Sequence, residues 1–176
     1  MSAETIYLHD KKPINTGLEQ AARNELSEKL AGVLADNYNL YLKTQYYHWN
    51  VTGPHFHSLH EMFEEQYQNF AEANDELAER IRALGAFAPG TFREFQEYGE
   101  IEEDKSLPKS WEEMVNNLIR DNETLACRCR ELMEKAEESK DGVTHDLMIE
   151  RLAFHEKTAW MLRSTVSDGA NTSARK

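Results

Sequence analysis

Apolar side chains recur every three or four positions along four long stretches of this chain, which is the period of an amphipathic α-helix. The stretches run from about 18 to 49, 59 to 84, 111 to 139 and 143 to 167. Each is long enough for several helical turns, and Gly85 ends the second. Four long helices predict an all-α protein built as a four-helix bundle.

Each predicted helix carries one stripe that would face the bundle core. Stripe residues are Leu26, Leu30, Val33, Asn37, Leu40 and Thr44 in the first helix; Leu59, Phe63, Phe70, Leu77, Ile81 and Leu84 in the second; Met114, Val115, Leu118, Leu125, Cys129, Leu132 and Ala136 in the third; and Met148, Leu152, His155, Ala159, Leu162 and Val166 in the fourth. We interpret His155 as structural because it falls on a core stripe.

Three predicted helix starts carry a Ser or Thr followed three residues later by Glu, the pattern of a capping box. The pairs are Thr16/Glu19, Ser58/Glu61 and Ser110/Glu113. Each pair precedes an amphipathic run, so each is expected to cap its helix.

The connections between the predicted helices indicate the topology. Gly53-Pro54 breaks the chain after the first helix, and Asp141-Gly142 separates the third from the fourth. Residues 85–109 are too long for an ordinary loop. Their aromatic residues are Phe92, Phe95 and Tyr98. We therefore predict a short extra helix in the crossover between helices 2 and 3. One long crossover with two short turns is the ferritin-like arrangement.

Length and charge narrow the function classes. At 176 residues with 40% hydrophobic residues, the chain is expected to form a single domain over 1–176 with tails at about 1–15 and 168–176. The net charge of −12 suits cations and disfavours strong nucleic-acid binding. No apolar run of membrane-spanning length and no signal-peptide pattern is present, so the expected location is the cytoplasm, with no membrane partner.

Candidate metal ligands are concentrated between the first and second helices. His48 is followed by His60, Glu64, Asp75 and Glu79, at gaps of 12, 4, 11 and 4. The last four lie within about 100° of one another on one helix, on a stripe separate from the apolar one. Imidazole and carboxylate ligands in such a group suit a first-row metal such as iron.

The two ends of this pattern cannot meet within one chain. His60 and Glu79 are 19 residues apart, or roughly 28 Å of helix axis. If the same helix of a second subunit packs antiparallel across a two-fold axis, the two halves face each other and two sites form by symmetry. The alternative is an ordinary solvated acidic face with structural histidines. No Glu lies three residues before a His, so the usual ferritin-like site inside the bundle is not expected.

Three sequence blocks carry a resemblance to a known family. Residues 48–56 read HWNVTGPHF, residues 60–64 read HEMFE, and residues 75–81 read DELAERI. At this separation they closely resemble the Dps family, the mini-ferritins or DNA-binding proteins from starved cells. The resemblance covers nearly the whole chain, including residues 157–161. It implies a ferritin-like fold and a homo-oligomer, a hollow dodecamer with tetrahedral symmetry.

The resemblance also implies a ferroxidase centre shared between two-fold-related subunits. Carried over, His48, His60 and Glu64 come from one subunit, and Asp75 and Glu79 from its neighbour. The family usually has Asp where this chain has Glu64. Family members oxidise Fe(II), preferably with hydrogen peroxide and otherwise with oxygen, and store ferric mineral in the cavity. That chemistry protects the cell against oxidative damage.

Other roles implied by the resemblance concern residues around this centre. Trp49 would either donate an electron to a stray oxidising intermediate or pack its ring at the interface. Glu61, Glu64 and Glu65 match an acidic cluster that nucleates mineral on the inner wall.

Three further carboxylates match a pore in the family. Asp141, Asp146 and Glu150 correspond to residues that line a three-fold iron-entry channel, where a ring of carboxylates would concentrate Fe(II). The alternative is an acidic helix start favoured by the helix dipole.

Family members that bind DNA often do so through lysine-rich tails. Here residues 1–17 carry no net charge and residues 167–176 carry only +1. DNA binding is therefore not expected at neutral pH. Two alternatives to a ferroxidase remain: a nucleoid-compacting DNA-binding shell with secondary iron chemistry, and a plain helical structural oligomer.

Overall fold

The computed structural model describes residues 14–166, and this part of the chain is helical without β-strands. Its helices are α1 (Gln20–Asn50), α2 (Phe56–Leu84), α3 (Phe92–Tyr98), α4 (Trp111–Glu138) and α5 (Gly142–Val166). The predicted all-α class and the extra helix in the crossover are confirmed. Both ends of every long helix fall within three residues of the predicted positions. The predicted tails, apart from residues 14 and 15, lie outside the described residues.

Two helical hairpins form the bundle. α1 packs along α2, α4 packs along α5, and contacts between α1 and α4 join the hairpins. Every residue of the four predicted core stripes is buried except Val166, which packs partly buried against the core. None of the described helices is long and apolar enough to span a bilayer.

Two of the three predicted helix caps are wrong. α1 begins after Glu19 with no side-chain cap, so Thr16 does not cap it. α2 begins after His55, one turn earlier than its predicted cap at Ser58. The cause is the turn at Gly53 (φ 109°), whose carbonyl accepts from the N–H of Phe56 at 3.1 Å. That turn leads the chain directly into the helix.

The third predicted cap is confirmed, and an unpredicted one closes the short helix. The Ser110 hydroxyl accepts from the N–H of Glu113 at the start of α4. At the start of α3, Thr91 and Glu94 form a complete capping box, with each side chain bonded to the other's backbone N–H. This box fixes α3 within the long crossover.

Left-handed residues end two of the helices. Gly85 (φ 101°) follows α2 as expected. In the turn between α4 and α5, the left-handed residue is Lys140 (φ 58°). Asp141 becomes the cap of α5, and Gly142 is the first residue of that helix. A non-glycine residue in this conformation carries a steric cost.

A buried carboxylate fastens the crossover to the bundle. Asp36, fully buried in α1, accepts the N–H groups of Glu100 at 2.6 Å and Ile101 at 2.8 Å. Its other oxygen forms an ion pair with Arg128 of α4. Burial raises the pKa of Asp36, and these donors act against that rise. One side chain thus joins α1, α4 and the segment after α3.

Candidate metal centre

The two predicted histidine ligands lie face to face. His48 is in the last turn of α1 and His60 is near the start of α2, so the short turn at Gly53 brings them together. Their rings stack with centroids 3.8 Å apart and planes 18° apart. His48 is buried, and His60 is partly buried.

Each histidine is held by the other's backbone. His48 Nδ1 donates to the carbonyl of His60 at 2.8 Å, and His60 Nδ1 donates to the carbonyl of His48 at 2.9 Å. A carbonyl oxygen can only accept, so each Nδ1 carries a proton, and in the neutral ring Nε2 holds the lone pair. Orientation by a second hydrogen bond is typical of metal-binding histidines. The donor set therefore fits a metal such as iron.

The end of α1 explains this arrangement. The last four carbonyl groups of a helix have no intrahelical partner, and His48 is within that last turn. His60 supplies the missing donor. A free carbonyl at a helix end usually bonds to solvent or to a glycine cap, whereas the His48 carbonyl orients the His60 ring.

Glu64 lies one turn beyond His60 on α2. Its Oε1 accepts only long contacts, from the Tyr67 hydroxyl and Gln68 Nε2, both at 3.4 Å. Hydrogen bonds at this distance are weak. The partly buried carboxylate therefore keeps acceptor capacity for a cation.

Asp75 and Glu79 are exposed further along α2 and do not approach the histidines within one chain. Between residues 14 and 166 no three His, Cys, Asp or Glu side chains are grouped so that they could hold a metal ion. Since α2 is continuous, the 19 residues from His60 to Glu79 still span roughly 28 Å. The chain thus presents two separate parts of the predicted ligand set.

Three more predicted residues surround the histidines. The Trp49 side chain is 66% exposed. Glu61 and Glu65 are exposed on α2, and Glu61 lies 3.5 Å from the exposed His57 ring. These side chains are available to a partner or to solvent cations.

The predicted pore residues differ in their surroundings. Asp141 is buried, with both oxygens 2.6 Å from Arg80, and it accepts the N–H and hydroxyl of Thr144. Burial alone would raise the pKa of Asp141, but the bonds from Arg80 and Thr144 hold that pKa below its ordinary value. Asp146 and Glu150 are exposed. Asp141 therefore caps and anchors α5 within the chain, and the pore role of the three carboxylates stays a prediction.

The structural role predicted for His155 agrees with its surroundings. The ring is buried, its Nδ1 donates to Asn122 Oδ1 at 2.9 Å, and it stacks on Phe70 at 5.7 Å. Burial, and secondly the charge of Arg151, holds the pKa of His155 well below its ordinary value.

The sequence interpretation missed Tyr67. Its ring meets the His48 ring at 5.2 Å and the Tyr41 ring at 6.2 Å. Burial, then the nearby Glu64 carboxylate, raises the pKa of Tyr67. A signal was present in the sequence: Tyr41 comes seven residues before His48, and Tyr67 comes seven residues after His60.

Comparison with known proteins identifies relatives over most of the chain. A family model, the ferritin-like domain, matches residues 27–171. The chain is 38% identical over 154 residues to an uncharacterized low temperature-induced protein of Nostoc sp., covering 87% of this chain and 86% of that protein. It is also 38% identical over 140 residues to the DNA protection during starvation protein 2 of Bacillus anthracis, covering 80% and 95%.

Solved structures agree with the sequence matches. Dps from Vibrio cholerae, described as a member of a broad superfamily of ferritin-like diiron-carboxylate proteins, is 30% identical with a TM-score of 0.84, and the match covers 90% of this chain and all of that one. Dps from Staphylococcus aureus is 33% identical with a TM-score of 0.79, covering 82% and 96%.

Proposed function

The chain belongs to the Dps family of ferritin-like proteins, and on that premise we propose that it is a ferroxidase that stores iron. Iron storage and protection are what the family supports. The finer proposal is that Fe(II) is oxidised, preferably by hydrogen peroxide, at a site between two subunits. The ferric product then accumulates inside a hollow dodecamer.

The observation that carries this proposal is the reciprocal hydrogen bonding of His48 and His60. These bonds fix both rings through Nδ1, so the Nε2 atom of each ring is left to bind a metal. The ring centroids are 3.8 Å apart. A purely structural histidine pair would have no need to leave both nitrogens free. Glu64 lies one turn beyond His60 on α2 and has only weak hydrogen-bond partners, so it would supply a carboxylate oxygen to the same metal.

The rest of the ligand set would come from a second copy of the chain. Asp75 and Glu79 are exposed on the same helix, on the stripe that also carries His60 and Glu64. When two such helices pack antiparallel across a two-fold axis, each histidine end faces the carboxylate end of its partner. Mixed nitrogen and oxygen ligands suit iron.

The electron count explains the protective effect. Each Fe(II) gives one electron, and one hydrogen peroxide accepts two with two protons to form two waters. Two Fe(II) ions at one site therefore consume peroxide without releasing hydroxyl radical. Around the site, Glu61 and Glu65 would offer nucleation oxygens, Asp146 and Glu150 would attract incoming Fe(II), and Trp49 would pack at the interface or donate an electron.

Mixing two inactive variants tests the shared site. His60→Ala and Glu79→Ala should each abolish rapid Fe(II) oxidation, because each removes one ligand from every site. In a mixed interface, one of the two sites contains both substitutions and the other contains neither. Random assembly of equal amounts makes half of the interfaces mixed. Oxidation should therefore recover to about a quarter of the wild-type rate.

The controls use the same residue types outside the proposed site. His57→Ala and Glu72→Ala, both at exposed positions of α2, should oxidise Fe(II) at the wild-type rate. Oligomer composition would be verified by mass spectrometry of differently tagged subunits. A verified mixed oligomer with no recovered activity would contradict the shared site, and an active His60→Ala protein would contradict the ferroxidase proposal itself.

A second candidate function comes from the name of the B. anthracis relative, a DNA protection protein. A shell of twelve copies would carry roughly −144 from −12 per chain, a total that already includes the nearly neutral tails. Non-specific DNA affinity depends on cationic groups that displace counterions. A gel shift at pH 7.5 with EDTA should show no binding at micromolar protein; binding there would favour a nucleoid-compacting shell.

A further inference from the structure

A continuous series of ring contacts leads away from the histidine pair. His60 stacks on His48 at 3.8 Å between centroids, His48 meets Tyr67 at 5.2 Å, Tyr67 meets Tyr41 at 6.2 Å, and Tyr41 meets Tyr38 at 5.7 Å. All of these separations are those of aromatic rings in contact. The series contains three tyrosines, which are oxidisable side chains.

Helical periodicity produces this alignment. On α1, Tyr41 lies two turns before His48, and on α2, Tyr67 lies two turns after His60. Because α1 and α2 form an antiparallel hairpin, the two tyrosines contact each other two helical turns away from the histidine pair. Tyr38 is one turn further along the same face of α1. All three tyrosines are partly buried.

We propose that Tyr67, Tyr41 and Tyr38 form an electron-donor series that reduces peroxide completely when a site holds only one Fe(II). This inference rests on the proposed function, because it needs iron and peroxide at the histidine pair. Tyr67 is the first donor, since its ring contacts His48 and its hydroxyl donates to Glu64. Tyr41 then gives an electron to the Tyr67 radical, and Tyr38 gives one to the Tyr41 radical.

The electrons and protons balance as follows. Fe(II) gives one electron and becomes Fe(III), and Tyr67 gives one electron and its phenolic proton. Hydrogen peroxide takes both electrons, that proton and one further proton from solvent; its O–O bond breaks, and two waters form. A neutral phenoxyl radical remains in place of a hydroxyl radical. The next Fe(II) to enter returns one electron, and solvent returns one proton, which restores the phenol.

The far end of the series is defined by a residue that resists oxidation. Phe95 of α3 stacks on Tyr38 at 4.4 Å with planes 21° apart. A phenyl ring is much harder to oxidise than a phenol, so the radical stops at Tyr38. Tyr46 lies on the same helix, and its ring contact is with Tyr47 at 6.2 Å, off the series. It serves as the matched control.

The test uses assembled protein loaded with one Fe(II) per site and mixed with hydrogen peroxide. Freeze-quench electron paramagnetic resonance should show a phenoxyl radical, identified by its change on ring-deuteration of tyrosine. Tyr67→Phe should lose that signal and release several-fold more hydroxyl radical to a spin trap. Tyr46→Phe should match the wild type in both measurements.

A second variant separates the relay from the fold. Tyr41→Phe interrupts the series after its first member, so its phenoxyl signal should have a single set of hyperfine couplings from Tyr67. A Tyr67→Phe protein that keeps the wild-type phenoxyl signal would overturn the proposal. So would a wild type that shows only an indolyl radical, which would assign the donor role to Trp49.

A parallel measurement keeps the two proposals distinguishable. Wild-type protein given two Fe(II) per site should oxidise both with peroxide, whether or not the tyrosines act. Absence of that oxidation would defeat the proposed function. Normal oxidation with no phenoxyl signal at one Fe(II) per site would defeat the electron-donor series alone.

Discussion

Replacing Asp36 by Asn should loosen the crossover without changing the shape of the buried side chain. Asp36 Oδ1 accepts the N–H groups of Glu100 and Ile101 at 2.6 and 2.8 Å, and its other oxygen pairs with Arg128. An Asn at this position has no charge, and its amide N–H₂ must face either Arg128 or the two backbone N–H groups. One set of donors therefore loses its acceptor.

The magnitude follows from the bonds that change. Hydrogen bonds to charged groups contribute about 1.5–3 kcal/mol and neutral ones about 0.5–1.5 kcal/mol, so each of the two N–H groups loses roughly 1 kcal/mol. Together they lower the free energy of local opening by about 2 kcal/mol. Since 1.4 kcal/mol corresponds to a factor of ten, amide exchange should accelerate roughly 30-fold.

Hydrogen exchange measured by mass spectrometry on peptides covering residues 97–104 checks this prediction at pH 8. Asp146→Asn is the matched control, because it makes the same chemical change on an exposed side chain and should leave these peptides unchanged. Exchange in Asp36→Asn within two-fold of the wild type would refute the reasoning, because the carboxylate would then not be what holds the crossover.

Three further predictions concern stability, measured as thermal unfolding of assembled protein at matched concentration. The pKa of His155 is lowered in the folded protein, so its contribution to the free energy of unfolding is complete above the unfolded pKa of 6.5 and is lost as pH falls below it. The wild type should lose up to about 1.4 kcal/mol per pH unit in that range. His155→Asn should show a flatter dependence on pH. Asp141→Asn should cost about 3 kcal/mol at pH 7 by removing the negative charge that pairs with Arg80. Because the pKa of Asp141 is lowered from 3.8, this difference should disappear as pH falls below that value. Lys140→Gly should raise stability by about 0.5–1 kcal/mol by relieving the left-handed backbone; an unchanged or lower melting temperature would contradict that strain.

The sequence predicted what depends on neighbours along the chain. Helical periodicity identified the core residues, and the aromatic residues of the crossover identified α3. It failed at the caps of α1 and α2, because a Ser or Thr three residues before Glu does not show where a preceding turn lets the helix begin. At α2, the turn at Gly53 starts the helix at Phe56, so Ser58 lies inside the helix and does not cap it.

Contacts between distant residues were beyond the sequence. Asp141 has the spacing of a pore carboxylate, but Arg80, 61 residues earlier, occupies both of its oxygens. The two histidines were predicted as ligands from their spacing, whereas their mutual hydrogen bonds required the geometry of the α1–α2 hairpin. Nothing in the order of residues shows which nitrogen of an imidazole is free.

The uninterrupted length of α2 has a consequence for newly made chains. With His60 and Glu79 held at opposite parts of one rigid helix, no bending of a lone subunit can close a site around iron. Under the shared-site proposal, the onset of iron oxidation at low protein concentration therefore follows the square of the subunit concentration. Under the same proposal, unpaired subunits would not oxidise iron, and the reaction would begin only where subunits assemble.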